Sequence, residues 1–209
     1  MSDKPVEYTP ISAEEIVSNY DKFLQLCGSL GDRGSSASKL VEFFGERLAV
    51  CPASAKKQYH NAFPGGLIDH SLRVLSNAAK LVKSFGLQVN KESLVLACLF
   101  HDIGKVGDVE QPLYIDQKSS YKIQNGSVYD YNSNMQYMSS THRTLFLLQR
   151  FGITLAQDEF LAILLCDGFN EEMKPYILKE PSLATVVHQA DYWAALTEKM
   201  KHEGKETEA

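Results

Sequence analysis

Residues 94–105 read Leu94-Val-Leu-Ala-Cys-Leu-Phe100-His101-Asp102-Ile103-Gly104-Lys105, seven apolar side chains in a row that end on an adjacent imidazole and carboxylate. A run that is apolar nearly all round is the signature of a central helix covered by neighbours on several sides. An imidazole and a carboxylate buried at its end each carry a penalty of several kcal/mol unless they are paired or bound to a metal. Their partners must come from elsewhere in the chain. Two residues suit: His70 in Leu67-Ile-Asp-His-Ser-Leu-Arg-Val-Leu75, and Asp191 in Val187-His-Gln-Ala-Asp-Tyr-Trp193. Each lies in an apolar, helix-like segment, so three helices can converge on one ion.

The rest of the chain is patterned as helix. Ser12-Ala-Glu-Glu15 has the spacing of a capping box and precedes Ile16, Tyr20, Phe23, Leu24 and Cys27 at helical intervals, with Gly28 as a stop. A second helix is expected from Ser36 to Leu48, ending before Pro52. A third, Leu67 to Phe85, carries a broad apolar face, leaves Arg73, Lys80 and Lys83 to solvent, and stops at Gly86. The central helix runs from Glu92 to about Asp102. Three more are expected at Ser140–Phe151 before Gly152, at Gln157–Cys166 and at Ser182 to about Met200. Between Gly104 and Tyr137 the helical period vanishes. There Tyr121-Lys-Ile-Gln-Asn-Gly-Ser-Val-Tyr-Asp130 reads as a hairpin turning at Asn125-Gly126, a β-insert at about 113–131. The expected architecture is predominantly all-α with that small insert. Residues 1–57 supply packing helices of the same domain, 58–200 the core carrying the site, and 201–209 a frayed polar tail.

Composition bounds the function. At 209 residues, 44% hydrophobic and 22% charged, the chain suits one soluble domain. The net charge of −5 and the dispersed lysines and arginines supply no electrostatic footprint for duplex nucleic acid. The four cysteines form no CxxC pair, and Cys98 and Cys166 lie in apolar runs where a thiol packs as a small hydrophobe. The opening Met1-Ser-Asp-Lys-Pro-Val-Glu7 is not a signal-peptide pattern, and no apolar run approaches the roughly 18 residues needed to cross a bilayer. A cytoplasmic protein without a membrane partner is expected, of oligomeric state unspecified.

His70, His101, Asp102 and Asp191 form a mixed set of imidazole nitrogen and carboxylate oxygen, which suits Mn, Fe, Co, Ni or Zn; Mg prefers all-oxygen shells. Four such ligands on an octahedral ion leave positions for water and a phosphate oxygen. Asp102 can also accept a proton from that water. Taken singly, each of the four is more often a cap, a surface group or a hydrogen-bonded core residue. Their ordered spacing, their apolar helical surroundings and the Gly104-Lys105 that follows the pair favour the metal reading.

His60-Asn-Ala-Phe-Pro-Gly-Gly-Leu-Ile-Asp-His70 and Phe100-His-Asp-Ile-Gly-Lys105 resemble the HD superfamily, closest to a branch that includes HD-domain exoribonucleases and the HD modules of some relaxases. Val187-His-Gln-Ala-Asp191 resembles the closing motif of that branch, and the similarity covers about residues 58–198. The resemblance implies an α-helical, metal-dependent phosphohydrolase. Some members hold a second ion through two further histidines. His142 is placed like the first; at the second, Cys166-Asp167-Gly168 stands where the branch tends to show His-His-Gly. Cys166 as thiolate or Asp167 as carboxylate can still ligate. For His142, a ligand role and a plain place after a Ser139 or Ser140 helix cap stay open side by side.

Further candidates surround this set. Lys105 can neutralise charge on a phosphoryl group, and Arg143 faces either phosphate or solvent. His60 and His188 can orient a ligand by hydrogen bonding. Tyr114, with Tyr121, Tyr129, Tyr131 and Tyr137, can stack a base and cover the site, or form the apolar side of the insert. The leading expectation is hydrolysis of a phosphoester or phosphoanhydride in a small nucleotide. The alternatives are a 3′–5′ exonuclease on single-stranded RNA or DNA, and a noncatalytic module that senses a nucleotide.

Overall fold

The structure is a computed structural model describing residues 10–168, 171–172 and 174–202, with the side chain of His202 outside that set. The expected frayed tail therefore lies almost wholly outside the described residues.

The chain opens with helix α1, Ala13–Gly28, whose Ser12 and Glu15 form a reciprocal capping box. A single 3₁₀ turn at Gly31–Arg33 leads into α2, Gly34–Phe44, and α3, Glu46–Ala49. The sequence pattern runs these last two together, but Gly45 at φ 47° and ψ −123° breaks the helix between them and turns Leu48 into the core. Helix α4 spans Gly66–Phe85 and ends on Gly86 in the left-handed conformation. Helix α5, Lys91–Phe100, starts on an Asn90 cap that accepts from the Ser93 amide.

The central position of α5 follows from its composition. Leu96, Leu99 and Phe100 join one apolar cluster with Phe23, Leu40, Leu48, Ile68 and Leu147, while Leu94, Ala97 and Cys98 join a second with Val74, Ala162, Val187 and Ala190. Burying a large aliphatic or aromatic side chain contributes about 1.5–3 kcal/mol, so a helix dressed on both faces is held from both. Phe23 of α1 meets Phe100 edge to face, with ring centroids 5.8 Å apart. The cores above and below α5 thus clamp the point at which His101 and Asp102 emerge.

After a 3₁₀ turn at Ile103–Val106 the chain enters the insert, in which strands β1, Tyr114–Asp116, and β2, Tyr129–Tyr131, pair antiparallel, Tyr114 opposite Tyr131. The expected hairpin turn is corrected here. Ser120–Gln124 form a short helix, α6, capped by Ser119, and Asn125-Gly126 close it, with Asn125 Nδ2 donating to Tyr121 O at 2.8 Å and Gly126 at φ 83°. Asn-Gly supplies a positive φ to a type I′ turn and to a helix C-terminus alike; the Ser119 cap selects the second. The insert is fastened to the preceding loop by the Lys57 amide on Gly126 O and the Val128 amide on Ala55 O.

Helices α7, Ser140–Arg150, α8, Gln157–Leu164, and α9, Ser182–His202, complete the bundle, α9 lying against α4 and α8. Among the described residues no helix is long and apolar enough to cross a membrane.

Candidate metal centre

Three elements deliver the site. His70 stands in the first turns of α4, His101 and Asp102 directly follow α5, and Asp191 lies in α9. Two glycines of the quoted motifs set the geometry. A Cβ on Gly66 would sit 2.2 Å from Asn61 O, so only glycine lets α4 begin against the His60 loop; a Cβ on Gly104 would sit 2.1 Å from Ser140 O, so only glycine lets the turn after Asp102 press onto α7. Thr144 of α7 then ties the turn down, accepting from the Gly104 amide at 2.9 Å and donating to His101 O at 3.1 Å.

The four side chains meet. His70 Nε2 lies 2.9 Å from Asp191 Oδ1 and 3.9 Å from Asp102 Oδ2, and His101 Nε2 lies 3.5 Å from Asp102 Oδ2 and 3.7 Å from Asp191 Oδ1. His70 and His101 are fully buried. Both Nε2 atoms nevertheless lack a hydrogen bond, the 2.9 Å approach of Asp191 included. The opposite ring edges are fixed: His101 Nδ1 faces Cys98 O at 2.9 Å, and His70 Nδ1 faces Glu198 at 3.1 Å. Two inward nitrogens that carry no hydrogen bond, beside two carboxylates, could hold a divalent cation, and His70, His101 and Asp102 lie close enough together to share one.

Electrostatics favour positive charge at this point. Burial lowers the His70 pKa, but Glu198 and Asp191 outweigh it and take it up to about 10. Burial raises the Asp102 carboxyl, yet Lys105, His101 and His70 together hold it below its ordinary value. Lys105 Nζ stands 2.5 Å from Asp102 Oδ2, and although burial opposes its charge, Asp102 keeps it protonated. Tyr114, whose phenol burial pushes up against the pull of Lys105, shares with Lys105, Cys51 and Arg47 a cavity of about 140 Å³. Its ring clusters with Tyr129 and Tyr131. Tyr121 and Tyr137 are exposed.

His60 packs its ring on that of His70 at 4.5 Å, and its Nε2 is buried without a hydrogen bond; burial, with the nearby His70 and Lys105, takes its pKa down to about 2. His188 sits one turn before Asp191 with Nδ1 at 2.8 Å from Cys166 O, pinning the chain after α8. Arg143 is buried, and its guanidinium donates to Gly104 O and Met138 O, which staples the turn after Asp102 to α7.

The residues suggested for a second ion do not converge in the same way. His142 is exposed with Nδ1 on its own Ser139 cap at 3.0 Å, and Asp167 accepts from Thr141 at 3.0 Å. Cys166 is buried, and burial together with the charges of Asp167, Asp102 and Asp191 pushes its thiol well up, against the thiolate. Among the described residues no ligand group includes these three.

Glu198 and Arg73 escape a motif reading. Glu198 is buried on α9, and Arg73, expected to face solvent, bonds to it at 3.0 Å and to Asp69 at 2.9 Å. The available signal was spacing: Glu198 is seven residues, two turns, beyond Asp191, and Arg73 is three beyond His70.

The class is thus a helical bundle whose core helix ends on a buried His-Asp pair facing a further His and Asp, side chains that could hold a metal. The family model described as HD domain matches residues 67–196, and the chain belongs to that family. No curated protein and no solved structure matches the chain.

Proposed function

We propose that this protein is a metal-dependent phosphohydrolase that cleaves a phosphoester or phosphoanhydride bond of a small nucleotide. The observation that carries the reading is the pair of buried, unpartnered nitrogens, His70 Nε2 and His101 Nε2, set beside Asp102 and Asp191. A divalent ion held by these four residues would polarise a phosphoryl oxygen and lower the pKa of water.

The chain's own groups supply the remainder. His70 and His101 would each offer an Nε2 lone pair to a bound ion, each ring oriented by its second nitrogen. Asp102, kept ionised by Lys105, would accept a proton from the attacking water. Lys105 stays cationic beside it and can balance charge developing on the transferred group. Asp191 is the most accessible of the four, its side chain 17% exposed, which supports entry of substrate from its side. The tyrosines around β1 and β2 offer stacking faces for a base, in keeping with a nucleotide. Manganese, iron, cobalt, nickel and zinc suit the donor set better than magnesium.

Metal analysis of protein purified without chelator, followed by a panel of nucleotides beside a labelled single-stranded oligonucleotide, each with Mn, Mg, Co and Zn, tests the proposal. Release of phosphate or of a nucleoside from the small substrates is expected. Progressive shortening of the oligonucleotide alone would make the protein an exonuclease, and binding without turnover across the panel would make it a sensor. His101→Ala and Asp102→Ala should each abolish turnover and reduce bound metal; full activity of Asp102→Ala would reject the mechanism.

A further inference from the structure

Glu198 lies just beyond the residues matched by the family model, yet it is buried against a candidate metal ligand. Its side chain is 1% exposed, and its two oxygens stand 3.3 and 3.1 Å from His70 Nδ1. The nearer geometry is not accidental packing, because the carboxylate is itself held: Arg73 Nε donates to Glu198 Oε1 at 3.0 Å, Arg73 Nη2 donates to Asp69 Oδ2 at 2.9 Å, and Asn61 Nδ2 donates to the same Asp69 oxygen at 2.9 Å. The chain of contacts therefore runs from the His60 loop through Asp69 and Arg73 to Glu198 and ends on one edge of His70. The other edge of that ring, Nε2, is the unpartnered atom that faces Asp102 and Asp191.

An ionised carboxylate accepts hydrogen bonds and donates none, so a hydrogen bond between Glu198 and Nδ1 requires the proton on Nδ1. An ion that takes the place of any proton on Nε2 would then meet the lone pair at that edge, and the carboxylate behind Nδ1 would make the ring a stronger donor. Burying a carboxylate is strongly unfavourable without partners; the Arg73 guanidinium, 3.0 Å from Glu198 Oε1, supplies one beneath the histidine.

We propose that Glu198, held in place by Arg73, is the positioning residue for His70: it fixes the ring's tautomer and orientation and thereby sets the affinity of the site for its divalent ion. This rests on the metal reading above. An Arg73–Glu198 ion pair that served only to join α4 to α9 would instead affect folding stability and leave ion binding alone.

Calorimetric titration of chelator-stripped protein with Mn²⁺ and with Zn²⁺ separates these cases, run on the wild type, Glu198→Gln and Arg73→Gln well below the melting temperature of each. Loss of an outer partner of a metal-bound histidine typically weakens metal affinity about 10- to 100-fold, and that is the expectation for Glu198→Gln, with a smaller loss for Arg73→Gln. The visible absorption bands of the Co²⁺-loaded protein should shift in Glu198→Gln as the His70 ring changes its donor strength. A folded Glu198→Gln that binds both ions as the wild type does and keeps its Co²⁺ spectrum overturns the assignment. If Glu198→Gln does not fold, wild-type affinity in Arg73→Gln overturns it instead. A wild type that binds neither ion fails at the earlier step and removes the metal reading, and this assignment with it.

Discussion

Gly104 shows how much of the site depends on the absence of an atom. Its missing Cβ lets the turn after Asp102 close to within contact of the Ser140 carbonyl and the Thr144 amide, and the same turn carries Lys105. Gly104→Ala forces backbone against backbone, where no flexible side chain can yield. Overpacking of this kind costs about 1–3 kcal/mol or more, and a urea-denaturation midpoint lowered without change of slope is the expected result. Gly66→Ala should behave alike, because its Cβ would meet Asn61 O. At this scale the sequence was informative for His70, His101, Asp102 and Asp191, since buried polar residues in apolar helices stand out against their neighbours. It was uninformative for Arg143 and Arg73. A charged residue on a helix reads as solvated, and only the neighbouring Gly104 and Met138 carbonyls, or the Glu198 carboxylate, reveal where its guanidinium goes.

Among the elements, Arg33 adds a charged joint to the apolar packing of the N-terminal helices on the bundle. Its guanidinium reaches Glu92 of α5 at 2.6 Å, Glu159 of α8 at 2.6 Å and Thr154 O at 3.2 Å. Burial opposes ionisation of Glu159, but Arg33 and the Ala156 amide outweigh it and hold the carboxyl below its ordinary value of 4.5. A carboxyl depressed in the folded state stabilises fully above its unfolded pKa and loses that contribution as pH falls through the folded value. Glu159→Gln should therefore lower stability by about 1–3 kcal/mol at neutral pH. The difference from wild type should hold down to about pH 5 and shrink below it, as read from denaturation curves at a series of pH values. The helices themselves were legible from apolar period and caps, Ser12, Asn90 and Ser139 among them. The break at Gly45 and the helical turn at Ser120–Gln124 were not, because a glycine able to take positive φ does not say which of several turns will use it.

For the whole molecule, the ligand set is assembled from positions 70, 101, 102 and 191, which come together only when α4, α5 and α9 pack. An ion that binds this arrangement and not the unfolded chain must stabilise the fold by mass action, about 2.7 kcal/mol at a free concentration of one hundred times Kd. For a domain of this size that corresponds to a rise in Tm of roughly 5–10 °C. Calorimetric scans of chelator-stripped protein with and without Mn²⁺ should show it, and His101→Ala should erase it. Family, helical class and the four candidate ligands were determined by the sequence alone, because a buried imidazole or carboxylate is costly enough to be retained only with a reason, and its pattern can be read in one dimension. The tertiary structure alone decided what stands behind those ligands: Glu198 beneath His70, Lys105 against Asp102, and His142 turned out to its own cap. The Glu198–His70 pairing joins residues 128 positions apart, and no local pattern records it because it depends on which helix faces come to share the core; the other two lie three residues apart, and packing chose among the partners open to them.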